Sequence, residues 1–140
     1  MPDAKAIAVE FIRHFGKGWP EDFDFLDRYL AQDGYYQMVA PTIAPVRGRE
    51  AIRQALEAMK RKVPDQKHDI VNVAASERVV FTERVDQSFR DGKWVAVPLI
   101  AVFELNEEGR IVAWREYLDL FHNMKQHGIS FDEIEKTIAA

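Results

Sequence analysis

Cysteine is absent from this chain, and that one absence removes disulfide frameworks, thiolate metal centres, iron–sulfur clusters and cysteine nucleophiles together. An excess of positive charge is absent too: 19 Lys and Arg against 23 Asp and Glu leave a formal net charge of −4. That balance offers no electrostatic footprint for nucleic acid or for an anionic membrane surface. Long apolar runs are also missing. Met1 to Phe15 carries Asp3, Lys5, Glu10 and Arg13 among its apolar positions, and nothing elsewhere approaches the roughly 20 residues that span a bilayer. The reading is a soluble, cytoplasmic protein with no nucleic-acid or membrane partner. Internal repeats and low-complexity tracts are lacking as well, and the six prolines and seven glycines are scattered.

What is present is apolar material for one core: 47% of 140 residues, a length that suits a single domain spanning 1–140. Ala4, Ile7, Ala8, Phe11, Ile12 and Phe15 recur at helical spacing behind Asp3, an N-cap candidate, with Gly16 and Gly18 as the stop. Glu21 to Leu30 repeats the pattern through Phe23, Leu26 and Leu30, closed by Asp33-Gly34. A third helix opens after Gly48, with Ile52, Ala55, Leu56, Met59 and Val63 on one face and Pro64 as its end.

Beyond residue 66 the period falls to two. His68 to Ala75, Arg78 to Arg90, Lys93 to Leu105 and Arg110 to Phe121 are rich in Val, Ile and aromatics, and Asp91-Gly92 and Asn106 to Gly109 supply turns. The pattern predicts an antiparallel meander. A short strand over Tyr35 to Val39 precedes the third helix, and Ser130 with Glu133 has capping-box spacing for a short carboxyl-terminal helix. Helices followed by strands argue for an α+β fold with the helices gathered on one sheet face.

Strand parity then picks out chemistry. Arg84 and Asp86 share a face with Val80 and Thr82, opposite Phe81, Val85 and Phe89. In the last strand Val112, Trp114, Glu116 and Leu118 share a face, which puts a carboxylate in an apolar row. A buried carboxylate is costly unless paired or protonated, and the Arg84–Asp86 pair is the nearest partner by pattern. Two acids bracketing one arginine are equipped for acid/base work: the guanidinium fork binds both, while burial and like-charge repulsion push one acid to hold a proton. Arg115 and Asp119 on the other face read as an ordinary ion pair, with Tyr117 between them as interface or packing.

Other chemistries fit poorly. His14, His68, His122 and His127 show no metal-ligand spacing, and Asp22, Asp24 and Asp27 lack the glycine and terminal glutamate of a calcium loop. Gly16-Lys17-Gly18 is too short for a phosphate loop, and no Gly-x-Ser-x-Gly elbow exists. No metal site is expected.

The element order and several local motifs carry a resemblance. Gly48-Arg49-Glu50-Ala51-Ile52, Glu83-Arg84-Val85-Asp86, Gly109-Arg110-Ile111, Trp114-Arg115-Glu116-Tyr117, Asp119-Leu120 and Tyr36-Gln37 resemble the nuclear transport factor 2-like superfamily. Within it, the chain is similar to the limonene-1,2-epoxide hydrolase group and its SnoaL-type polyketide cyclase relatives. The resemblance implies a cone: a curved antiparallel sheet and three helices from the amino-terminal half enclosing an apolar pocket, with a short carboxyl-terminal helix. It implies one-step water addition to an epoxide without a cofactor, with Glu116 as base, Tyr36 as water holder, Asp86 as proton donor and Arg84 as the bridge. Met38, Trp114, Val80 and Leu118 are the expected pocket wall. Two positions depart from the family pattern: its base is an aspartate where this chain has Glu116, and its water-holding asparagine falls on Met38. A steroid isomerase- or cyclase-like proton transfer, or binding of an apolar ligand without turnover, would use the same pocket. Phe81, Val85, Phe89, Tyr117 and Phe121 on the uncovered sheet face imply a homodimer.

Overall fold

A computed structural model describes residues 2–128, 130 and 132. Helix α1 spans Ala4–Gly18, and its N-cap is Asp3, whose carboxylate accepts from the backbone N–H of Ala6 at 3.1 Å. The stripe read from the sequence is the buried one: Ala4, Ala8, Phe11, Ile12 and Phe15. Helix α2 is shorter than its apolar pattern, Asp24–Tyr29, because Leu30 turns outward from the helix and opens strand β1, Leu30–Gln37. Gly34, expected as a closing turn, lies inside that strand. A side chain there would meet the Ile111 carbonyl oxygen at 3.0 Å, so the close approach of two backbones explains the glycine. Strand β2 is Val46–Arg47, and helix α3, Arg49–Met59, buries Ile52 and Leu56.

The meander follows as β3 (Asp65–Ser76), β4 (Val79–Arg90), β5 (Lys93–Leu105) and β6 (Ile111–Leu118), all antiparallel. The six strands lie in the order β2-β1-β6-β5-β4-β3, and β1 joins β6 in parallel, a pairing the turn signals did not announce. Two bulges interrupt the antiparallel ladders: Val71 is the extra residue between Ile70 and Asn72, and Val112 is the extra residue between Ile111 and Ala113. The second corrects the parity of the last strand. Ile111, not Val112, takes the core position beside Trp114.

The last strand also ends earlier than expected. Asp119 accepts from the N–H groups of Phe121 at 3.0 Å and His122 at 3.2 Å and starts helix α4, Leu120–Gln126. Arg115 instead pairs with Glu104 and donates to Tyr35 Oη at 2.8 Å on the outer face. The capping box at Ser130 and Glu133 lies largely outside the described residues. Gln126 latches α4 to β5, its side-chain amide both accepting from and donating to the backbone of Ala96. Among the described residues no helix is long and apolar enough to cross a membrane.

The core fills the space between the helices and the concave sheet face. Phe11 is fully buried, and the edge of its ring meets Trp114, Phe103 and Phe25 at centroid distances of 4.9, 5.7 and 5.3 Å. Helix α1 thereby braces the strand that carries Glu116.

Candidate active site

Register explains how distant residues converge. Thr82 on β4 lies opposite Ala101 on β5, which lies opposite Glu116 on β6. Ala101 is fully buried, and its single methyl leaves space above β5. The Arg84 side chain crosses that space from one rung further along β4. Its Nε and Nη2 donate side-on to Asp86, at 3.0 and 2.9 Å, and the same Nη2 donates to Glu116 Oε2 at 3.0 Å. The remaining nitrogen, Nη1, donates to Thr82 Oγ1 at 3.3 Å. Arg84 is only 3% exposed and Glu116 8%. The arginine predicted to bridge two acids is therefore buried between them.

Tyr36 arrives from the other side. Its register partner across the parallel pair is Trp114, and the two rings stack with centroids 3.6 Å apart. That stacking aims the Tyr36 hydroxyl at Glu116, to whose Oε1 it donates at 2.8 Å. Each Glu116 oxygen thus has one donor, Tyr36 on Oε1 and Arg84 on Oε2.

Burial dominates the electrostatics. It raises the Glu116 pKa above the ordinary 4.5, with the Asp86 charge acting in the same direction and Arg84 and the Tyr36 hydrogen bond opposing it. Burial beside Glu116 also pushes the Tyr36 phenol well above 10.0, so its hydroxyl stays a donor. Burial disfavours charge on Arg84, but its hydrogen bonds and ion pairs with Asp86 and Glu116 outweigh that penalty and raise its pKa. A guanidinium between two acids is permanently charged.

These groups open onto a cavity of about 190 Å³. For scale, an apolar cavity of roughly 150 Å³ accommodates benzene. Phe11, Phe15, Met38, Leu99, Phe103 and Trp114 make its apolar wall. Of the expected pocket residues, Met38, Trp114 and Leu118 line it, as do Arg84, Asp86, Glu116 and Tyr36. Val80 does not. It shares the inward face, as its parity requires, but it is fully buried in the core behind Thr82, and the β4 wall begins at Arg84.

The sequence pattern did not assign Gln66, His68, Ser88 or Arg90 to the cavity that all four line. His68 and Gln66 lie on the inward face of β3, opposite Asp86 and Ser88 respectively. His68 Nε2 is 3.1 Å from Gln66 Oε1 and 4.0 Å from Asp86 Oδ2. Burial lowers the His68 pKa below 6.5 against the pull of Asp86, so the ring is neutral at pH 7. The alternation Gln66, His68, Ile70 is a usable signal, but a strand beginning at His68 leaves out its first member, whereas β3 begins at Asp65.

Comparison with known proteins places this geometry. The model of the limonene-1,2-epoxide hydrolase catalytic domain matches residues 8–128. The chain belongs to the limonene-1,2-epoxide hydrolase family. Within that match lie Tyr36, Arg84, Asp86 and Glu116. Epoxide hydrolase EphG of Mycobacterium tuberculosis is 31% identical over 105 residues, covering 75% of this chain and 68% of EphG. A solved structure of a limonene epoxide hydrolase-like epoxide hydrolase from M. tuberculosis superposes with a TM-score of 0.74 at 29% identity, covering 87% of this chain and 86% of that one. The wider superfamily shares the fold alone. A protein assigned as a SnoaL-like polyketide cyclase from Jannaschia sp. CCS1 gives a TM-score of 0.72 at 19% identity, covering 89% and 93% of the two chains. The α+β architecture with its curved sheet is the one these proteins share.

Proposed function

We propose that this member of the limonene-1,2-epoxide hydrolase family adds water to a small, largely apolar epoxide in one step and without a cofactor. The observation that carries the reading is the single Arg84 nitrogen shared by Asp86 and Glu116 at the wall of an apolar cavity. One proton on the acid pair balances the site: one carboxylate offsets the guanidinium, whereas two would leave a net buried negative charge.

In the proposed reaction Glu116 takes a proton from water, with Tyr36 holding the water beside it. The water oxygen forms a bond to an epoxide carbon while the carbon–oxygen bond breaks. In the state that reacts, the pair's one proton lies on Asp86, against the burial that raises the Glu116 pKa, and Asp86 gives it to the departing oxygen. The pair still carries one proton at the end, now on Glu116, and its return to Asp86 resets the site. Diol formation across a panel of terpene and aryl epoxides tests the proposal. Wild type should form diol, and Asp86→Asn should be slower by two orders of magnitude or more; an Asp86→Asn rate equal to wild type would overturn it.

Met38 favours a second reading. Methionine has no donor to hold water, and the same carboxylate is positioned to abstract a proton alpha to a carbonyl, as a cyclase or isomerase does. Solvent deuterium appearing in candidate ketones would support that reaction, and its absence across the panel would count against it.

We also propose that a second copy of the chain covers the outer sheet face, where Phe81, Ile100 and Tyr117 are each more than two-fifths exposed. Phe121, expected on that face of the strand, lies on α4 instead. Light scattering should give a dimer mass at micromolar protein, and a monomer mass would contradict the pairing.

A further inference from the structure

The cavity has a second polar end that the hydrolase reading does not use. Along the inward face of β4, Arg84 and Asp86 are followed by Ser88 and Arg90, and all four line the cavity. Gln66 faces Ser88 across the β3–β4 ladder, one rung from the His68–Asp86 pair. Successive rungs on one face are about 7 Å apart.

Gln66 is 9% exposed, and its Nε2 is enclosed without a hydrogen-bond partner. His68 Nε2 lies 3.1 Å from Gln66 Oε1, the shorter of the two ring contacts; in the neutral tautomer that carries its proton on Nε2 the ring donates to that oxygen and leaves the Gln66 NH₂ group unused. A buried amide with two unused donors is costly unless something accepts from it. At the same end, Arg90 lines the cavity and, among the described residues, forms no ion pair. The acids nearest it in the cavity, Asp86 and Glu116, are both engaged by Arg84. The Gln66 amide and the Arg90 guanidinium therefore line one end of the cavity without a carboxylate of the described residues to pair with.

We propose that Gln66, Ser88 and Arg90 form a carboxylate subsite, so that the substrate carries an anionic oxygen group one strand rung, about 7 Å, from its reacting centre. Arg90 supplies the charge, Gln66 an N–H donor and Ser88 a hydroxyl. A bare hydrocarbon epoxide fills the apolar wall but leaves the Gln66 amide unpaired. An epoxide acid satisfies both ends. The subsite rests on the hydrolase reading for the identity of the reacting group, and it deepens that reading by naming what the epoxide is attached to.

Binding of two unreactive probes tests the subsite without requiring turnover. 4-Methylcyclohexanecarboxylate and 4-methylcyclohexyl methyl ketone are nearly isosteric, and both offer an oxygen to Gln66, but only the first is charged. Calorimetry at pH 7.5 on the full chain should show the carboxylate binding about tenfold tighter than the ketone, as an ionic hydrogen bond exceeds a neutral one. Arg90→Gln, at the strand end, should erase that preference, so that the carboxylate binds no tighter than the ketone to the same variant. Gln66→Met should weaken both probes. Equal affinities in wild type, or a preference that survives Arg90→Gln, would overturn the subsite. Neither probe contains an epoxide, so that failure is separate from a failure to form diol, which would count against the hydrolase reading alone.

Discussion

Arg84 donates to Glu116 across the full width of strand β5, its Nη2 reaching Oε2 at 3.0 Å over the methyl group of Ala101. Two residues 32 positions apart in the chain are thus joined by a buried ionic hydrogen bond that the intervening strand makes room for. Removing the guanidinium leaves two enclosed acids without their counter-charge. Arg84→Met should lower unfolding stability in urea by about 3–5 kcal/mol. Adding Glu116→Gln to that variant should restore part of the loss, because only one acid is then left uncompensated.

Tyr36→Phe removes the donor to Glu116 Oε1 while keeping the ring that stacks on Trp114. The hydrogen bond opposes the rise in the Glu116 pKa, so its loss should raise that pKa further. Because the base must be ionised, the acid limb of kcat/KM should move to higher pH. The rate at its optimum should fall by about one to two orders of magnitude through loss of the water holder. A pH–rate profile of wild type and variant checks both effects.

The pH dependence of stability separates Glu116 from His68. Glu116 has a folded pKa above its ordinary 4.5, so the folded state binds the proton more tightly. Its contribution is fully present below about pH 4.5 and is lost as pH rises through the folded pKa. His68 behaves oppositely: its folded pKa lies below 6.5, so its contribution is present above that value and is lost as pH falls through the folded pKa. Relative to wild type, Glu116→Gln should gain stability as pH rises from 4.5. His68→Gln should compare best with wild type at acid pH and lose ground toward 6.5. Urea midpoints across that range measure the two differences.

Met38 lines the cavity, at the position where the family resemblance implies a water-holding asparagine. Met38→Asn supplies the missing donor and acceptor. A single positioned hydrogen bond of this kind is worth about 2–3 kcal/mol in the transition state, so diol formation should accelerate by one to two orders of magnitude. Steady-state kinetics on any epoxide that wild type turns over checks the gain.

Much of this site was legible because strand parity is a strict rule. Arg84 and Asp86 share a face at any register, and Glu116 interrupts an apolar row whatever its neighbours are. Their mutual contact was less accessible, since it depends on the ladder that aligns Thr82, Ala101 and Glu116. The bulge at Val112 shows where parity alone fails: one extra residue moved Ile111 into the core. The parallel β1–β6 pairing brings Tyr36 beside Trp114 through a contact between distant segments that no local turn encodes. Val80 shows the remaining gap. Facing inward placed it in the core, but depth along the strand decides what reaches the cavity. Asp119 read as the partner of Arg115, whereas its carboxylate caps α4.

The most direct test of the central claim is a single turnover in ¹⁸O-labelled water with enzyme in excess over epoxide, followed by mass spectrometry of the diol. Direct attack by water held at Tyr36 and Glu116 predicts one ¹⁸O in every diol molecule formed in that first turnover. An unlabelled first-turnover diol would mean that an enzyme carboxylate had supplied the oxygen, and would contradict the account.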